Sequence, residues 1–189
     1  MKKLLRTSPL TSASLLLAIS IVSCTGSNNN LEPVSLSSSG IKITNPETKS
    51  ATDFSFGEPA AAVSTAITSA LGEPNGDVRE TDCGLSLQTW PGNFSAVEKD
   101  GNFVGWVVEK SDRNNSNFTT PNGRGLGSTL ADLQAASETT SRVEGDHNEF
   151  ETADGYAGAL NGNTPNAKVY ILSSGESCDD PNYPWPQQP

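Results

Sequence analysis

Histidine is nearly missing from this chain: His147 is the only one in 189 residues. A zinc tetrad therefore lacks ligands, and no Cys-x-x-C pair makes up the shortfall. A hydrolytic triad has one imidazole to build on, set in the polar stretch Glu144 to Glu149, and no Gly-x-Ser-x-Gly elbow accompanies it. Basic residues are scarce as well, 12 Lys and Arg against 22 Asp and Glu, for a net charge of −10. Nucleic-acid binding depends on cations that neutralise phosphates, so nucleic acid is excluded as a partner. Long apolar runs are absent. The greasiest stretch, Leu15 to Val22, has eight residues, where a bilayer span needs roughly 20, so no transmembrane helix is expected.

What is present begins with an ordered N-terminus. Lys2, Lys3 and Arg6 come first, then the short apolar stretch, then Ser23 and Cys24. Charge, short hydrophobic core, small residue and cut site is the order of a signal peptide, here residues 1–23. Ile21-Val22-Ser23-Cys24 resembles the lipobox of bacterial lipoproteins. In that family the cysteine takes a diacylglyceryl thioether and the peptidase cuts before it. The resemblance implies lipidation of Cys24 and a membrane partner reached through the N-terminal lipid, on the periplasmic or cell-surface side. Removing residues 1–23 leaves nine basic residues against 22 acidic ones, a net charge of −13. Anionic headgroups repel such a chain, so the lipid and not a basic face must hold it at the membrane.

Cys83 and Cys178 remain, 95 positions apart. Two cysteines in an oxidising compartment pair, and a disulfide is expected between them.

Thr25 to Leu36 is rich in Ser and Asn and reads, with Cys24, as a flexible tether over 24–36; Gly40 to Thr44 is a candidate first strand. Glu58 to Leu71 is predicted helical: Val63, Ala66, Ile67, Ala70 and Leu71 form one stripe, and Gly72 and Pro74 stop it. Leu85 to Trp90, Asn93 to Glu98 and Phe103 to Glu109 then read as a meander, with Asp100-Gly101 as the hairpin signal. Phe103 to Glu109 is apolar on both faces, which predicts a central or covered strand. The plan repeats more faintly. Ser128 is a candidate cap for a helix through Leu130, Leu133 and Ala136, with strands expected over His147 to Thr152, Tyr156 to Leu160 and Lys168 to Ser173. The expected fold is α+β, two tandem units (37–110 and 111–180), each a short helix on a three- to four-stranded antiparallel meander. Pro181 to Pro189 reads as a proline-aromatic tail.

The chemistry-bearing patterns are incomplete. Gly123-Arg124-Gly125-Leu126-Gly127-Ser128 precedes a helix but lacks the lysine of a phosphate loop, and reads as a structural turn. Asp112 to Asn117 lacks the glycine at position six and the glutamate at position twelve of a calcium loop. Neighbouring acids such as Glu149 and Glu151 are ordinary surface carboxylates unless a fold isolates them. No metal and no cofactor is expected. Trp90 and Trp106 are the candidate binding aromatics, with Trp106 also suited to a core.

Several stretches, among them Ala70-Leu71-Gly72-Glu73-Pro74, Phe103-Val104-Gly105-Trp106, Thr120-Pro121-Asn122-Gly123, Gly125 to Leu133 and Gly175-Glu176-Ser177-Cys178, resemble uncharacterised secreted lipoproteins of bacteria, of actinobacterial type. The doubled helix-plus-meander plan is remotely similar to the β-lactamase-inhibitor-protein and outer-membrane-assembly lipoprotein folds. Those likenesses imply a non-catalytic binding or assembly module with an envelope protein as partner. An envelope hydrolase with a site assembled only in space is the alternative.

Overall fold

The computed structural model describes residues 33–110, 118–144 and 147–178. Cys24, the lipobox, most of the tether, the Asp112 to Asn117 loop and the tail after Asp180 lie outside the described residues. The described chain is mostly β, with two antiparallel sheets and two helices.

The small sheet joins β1 (Val34–Ser37), β2 (Gly40–Thr44) and β3 (Ala51–Ser55) in sequence order. Here the tether expectation needs correction at its inner end. Val34 and Leu36 are fully buried, and they alternate with Ser35 and Ser37 as a half-buried strand requires. Two apolar residues were too few to show as a strand in a polar context; their partners Ile43 and Ile41 supply the other half of the pattern.

Helix α1 (Ala60–Leu71) follows. Its stripe behaves as its spacing predicts: Val63 and Ile67 are buried, and Ala66, Ala70 and Leu71 pack beside them. Pro59 sits one place earlier than a first-turn proline, at the N-cap, and Gly72 ends the helix at φ 93°, donating its N–H to the Thr68 carbonyl.

The large sheet has eight strands, all antiparallel. Its first half is a meander of β4 (Arg79–Glu80), β5 (Ser86–Trp90), β6 (Phe94–Lys99) and β7 (Asn102–Glu109). Asp100 and Gly101 both have positive φ, 51° and 79°, the geometry of a two-residue hairpin whose twist matches the strands. Helix α2 (Leu130–Ala136) then leads into β8 (Thr139–Glu144), β9 (His147–Thr152), β10 (Ala157–Leu160) and β11 (Val169–Gly175). The order across the sheet is β4-β5-β6-β7-β11-β10-β9-β8. β7 is central, as its two apolar faces predict: Trp106 and Val108 are buried on one side and Val107 on the other. β10 passes so close to β11 that a Cβ on Gly158 would overlap the Ile171 carbonyl oxygen.

The α2 cap is Thr129, not Ser128. Thr129 Oγ1 accepts the Asp132 N–H (3.1 Å) and Asp132 Oδ2 accepts the Thr129 N–H (2.8 Å), a reciprocal box that Ser128 has no acid to complete. Ser128 Oγ instead accepts the Gly125 N–H.

The main core lies between one face of the large sheet, both helices and the small sheet. Trp90, Phe94, Trp106 and Phe150 meet Val63, Ile67, Leu133, Val34 and Leu36 there. A second cluster, Leu87, Val97, Val107, Ala159 and Ile171 with Leu85, occupies the opposite face. The Cys83–Cys178 disulfide, Cα to Cα 5.9 Å, joins the loop before β5 to the chain leaving β11. A buried clasp closes the other half. Arg124 forms a bidentate ion pair with Asp154 and lies over the Tyr156 ring, 5.4 Å from its centroid.

Candidate functional site

Between α1 and the outer half of the large sheet is a cleft of about 330 Å³. The helix contributes Val63, Ser64 and Thr68; below it lie Gln88 and Trp90 of β5, Ala96 and Glu98 of β6, and Phe103 of β7. The connection after α1 closes one side with Glu73, Pro74 and Val78. That connection is pinned to β5: the Asn75 N–H donates to the Thr89 carbonyl (2.7 Å), and the Gln88 amide donates to the Gly76 carbonyl (3.3 Å). The floor is apolar, made by Trp90, Ala96 and Phe103, and Val63 faces it from the helix. Trp90 Nε1 donates to Thr68 Oγ1 (3.0 Å), fixing the floor to the helix above it.

Two features mark this cleft. Among the described residues Val78 is the one large apolar side chain left exposed, at 48%. Glu73 and Glu98 face the cleft from different elements, and neither joins any of the ion pairs formed by the described residues. Arg79, the basic residue nearest in sequence to Glu73 and Val78, is opposite Leu87 in the β4–β5 ladder. Its side chain therefore shares the second-cluster face and turns away from the cleft.

The sequence candidates are distributed differently. Trp106 is 0% exposed and donates from Nε1 to the Ser37 carbonyl (2.9 Å); it is core, not a binding surface. Trp90, 1% exposed, is also core and reaches the cleft only as floor. A tryptophan carries the largest apolar area of any side chain, and strand positions facing two helices and a second sheet bury it. Cys83 and Cys178 are bonded to each other. His147 is the first residue of β9, two strands beyond β11 from the cleft-bearing half, and its side chain lies outside the described residues. Glu149 and Glu151 alternate with buried Phe150, so they share the face opposite the main core. Among the described residues no group of three or more His, Cys, Asp or Glu is placed to hold a metal ion.

The glycine-rich run is a turn in which five of the six amides are already engaged. Gly123 donates to the Thr120 carbonyl, Arg124 to Thr120 Oγ1, Gly125 to Ser128 Oγ, Gly127 to the Val169 carbonyl and Ser128 to the Gly125 carbonyl. An anion would have to displace these bonds. Val78 and Glu98 belong to no chemistry-bearing motif, Glu73 lies only in the Ala70 to Pro74 stretch, and nothing local in the sequence marks any of the three as a site residue.

Glu109 and Asp154 are the carboxyls displaced furthest from their ordinary range. Burial at the end of β7 pushes Glu109 up to about 7, against a small downward pull from Arg79. At Asp154 burial presses upward, but hydrogen bonds from Arg124, Thr152 and Ser137, with the guanidinium charge, outweigh it and bring the group down to about 2. The signs oppose. Between about 4.5 and 7 native Glu109 holds a proton that the unfolded chain has released, so stability falls as pH rises. Native Asp154 stays ionised where the unfolded carboxyl protonates, so stability is lost as pH falls from about 4 through 2. These two groups place the greatest stability at about pH 4 to 5. Glu109→Gln is expected to remove the decline above pH 5, worth ~3 kcal/mol at pH 8 for a shift of this size. Urea unfolding from pH 4 to 8 checks it; parallel profiles for the two proteins would contradict the assignment.

No protein-family model, no curated protein and no solved structure matches this chain. No helix of the described residues is long and apolar enough to cross a membrane.

Proposed function

We propose that this chain is a lipid-anchored, extracytoplasmic bacterial lipoprotein, a non-catalytic module that binds a protein of the cell envelope through the cleft beneath α1. The observation that carries the binding role is the cleft itself: an apolar floor, two unpaired carboxylates and the exposed Val78 meet at one opening. The lipobox-like Ile21 to Cys24 supports the anchor, and the Cys83–Cys178 bond suits an oxidising compartment. We further propose that the fold is two tandem helix-plus-meander units and that the chain belongs among secreted bacterial lipoproteins. The order of elements supports the first part. α1 precedes the four strands β4 to β7, α2 precedes the four strands β8 to β11, and the final strands of the two sets pair.

Crosslinking in the native envelope followed by mass spectrometry tests the proposal, with Cys24→Ser as control. The expected result is one abundant envelope protein, lost in the control. In the same samples Cys24→Ser should abolish membrane retention or leave the precursor uncut. Unchanged retention and unchanged mass in that variant would remove the anchor, and the absence of any reproducible partner would remove the binding role.

A further inference from the structure

We infer that the occupant of the α1 cleft is a peptide segment of the partner protein that presents a lysine or arginine beside an aliphatic or aromatic residue. This rests on the binding role proposed above and names the chemistry that role would recognise.

Charge selects the cation. Glu73 on the connection after α1 and Glu98 on β6 approach the cleft from two sides, and no basic residue is among its described lining residues. Lys99, next in sequence to Glu98, is held by Glu176. The chain's own excess of acid reinforces the local potential, so a cationic group is drawn in and an anionic one repelled. Carboxylates also pair well with the donors of lysine and arginine, which have no acceptor to offer elsewhere.

Hydrogen bonding narrows the choice further. Thr68 accepts from Trp90, the Gln88 amide donates to Gly76, and the Ser86 hydroxyl donates to Glu80. A neutral polar ligand would have to compete for groups that already have partners. Among the lining groups the two carboxylates carry the charge left without a partner, with the Ser64 hydroxyl beside them as a neutral group.

Shape and surface supply the apolar half. A volume of about 330 Å³ lies at the lower end for ligand sites, enough for one or two side chains and too small for a large cofactor. The stem of a lysine or arginine can lie along Pro74, above the buried Trp90 and Phe103, while its charge stays at the opening. A neighbouring apolar side chain would cover Val78, which the fold leaves uncovered.

The probe is the capped peptide acetyl-Leu-Lys-Leu-Lys-amide, with acetyl-Leu-Glu-Leu-Glu-amide as its counterpart, added to the disulfide-intact chain from residue 24 onward. The expected result is shifts of the Val78 and Gln88 amides and the Trp90 indole N–H in nitrogen–proton NMR spectra with the lysine peptide alone. Glu73→Gln with Glu98→Gln is expected to weaken binding about tenfold, two partly exposed ion pairs being lost. Val78→Ser should weaken it severalfold. Unchanged near-ultraviolet circular dichroism would show that these variants stay folded. Equal binding of the two peptides, an unmoved Trp90 indole, or full affinity in the double variant would overturn the inference. Repeating the envelope crosslinking with the double variant separates the two proposals. A partner still captured would reject the cleft chemistry and keep the binding role. A peptide that binds the cleft while no envelope partner is found would do the reverse.

Discussion

Replacing both Cys83 and Cys178 by alanine is expected to lower the stability of the protein by about 4 to 5 kcal/mol. The bond closes a loop of 95 positions, and a covalent tie of that length removes a large share of the conformations open to the unfolded chain. The tie is well placed in the folded state, because it joins the connection before β5 to the exit of β11 without crossing the main core. Leu85, two residues after Cys83, and Cys178 itself both contact the second cluster, so native packing at the site supports the bond. Domains of this size are commonly stable by about 5 to 15 kcal/mol, so the loss takes a large fraction of the whole. Urea unfolding of the oxidised protein and of the double variant measures it. A difference below about 1 kcal/mol would mean that the unfolded chain is held compact by something other than the bond.

Trp106→Ala is the second large effect, an expected loss of about 3 to 5 kcal/mol. The side chain is wholly buried on the central strand β7, its ring packs against Tyr156 at 6.2 Å between centroids, and its N–H serves the Ser37 carbonyl on β1. Truncation empties the space between the two sheets and leaves that carbonyl without its donor. Trp106→Phe separates the contributions. It refills most of the volume and forfeits the hydrogen bond, for an expected cost of about 1 to 3 kcal/mol. Peptide binding at the α1 cleft should survive Trp106→Phe, since Trp106 does not line it. A variant with unchanged stability and lost binding would restore Trp106 as a recognition residue.

The contrast between Trp106 and Val78 shows how unevenly the site was legible. Aromatic character marks energetic importance in cores and at interfaces alike, so the sequence singled out two tryptophans that the fold then buried. Val78 lies between Asp77 and Arg79 in a polar connection, and one valine there has no periodicity to interpret. Its significance comes from being left uncovered beside a cleft. Glu73 and Glu98 are likewise two of 22 acids until the fold sets them around one opening. The strands divide in the same way. β7 was legible because both of its faces are apolar, whereas β8, Thr139–Glu144, is a polar edge strand with no inward alternation to betray it. β1 fell inside a segment that composition assigned to a tether, and only pairing with Ile41 and Ile43 gives Val34 and Leu36 a reason to be a strand.

The sequence by itself determined what short-range chemistry decides. The α1 stripe and its glycine stop, the Asp100-Gly101 hairpin, the central character of β7 and the candidacy of Cys83 and Cys178 all follow from spacing within a few residues or from composition. The tertiary structure alone decided that the two meanders meet at β7 and β11, that Trp90 and Trp106 are interior, that Arg124 finds Asp154, and that an acidic, apolar-floored cleft opens beneath α1. Turn and helix preferences are set by each residue's own backbone and its near neighbours. Burial and electrostatic environment are set by which distant segments arrive on the same face, and no local pattern carries that.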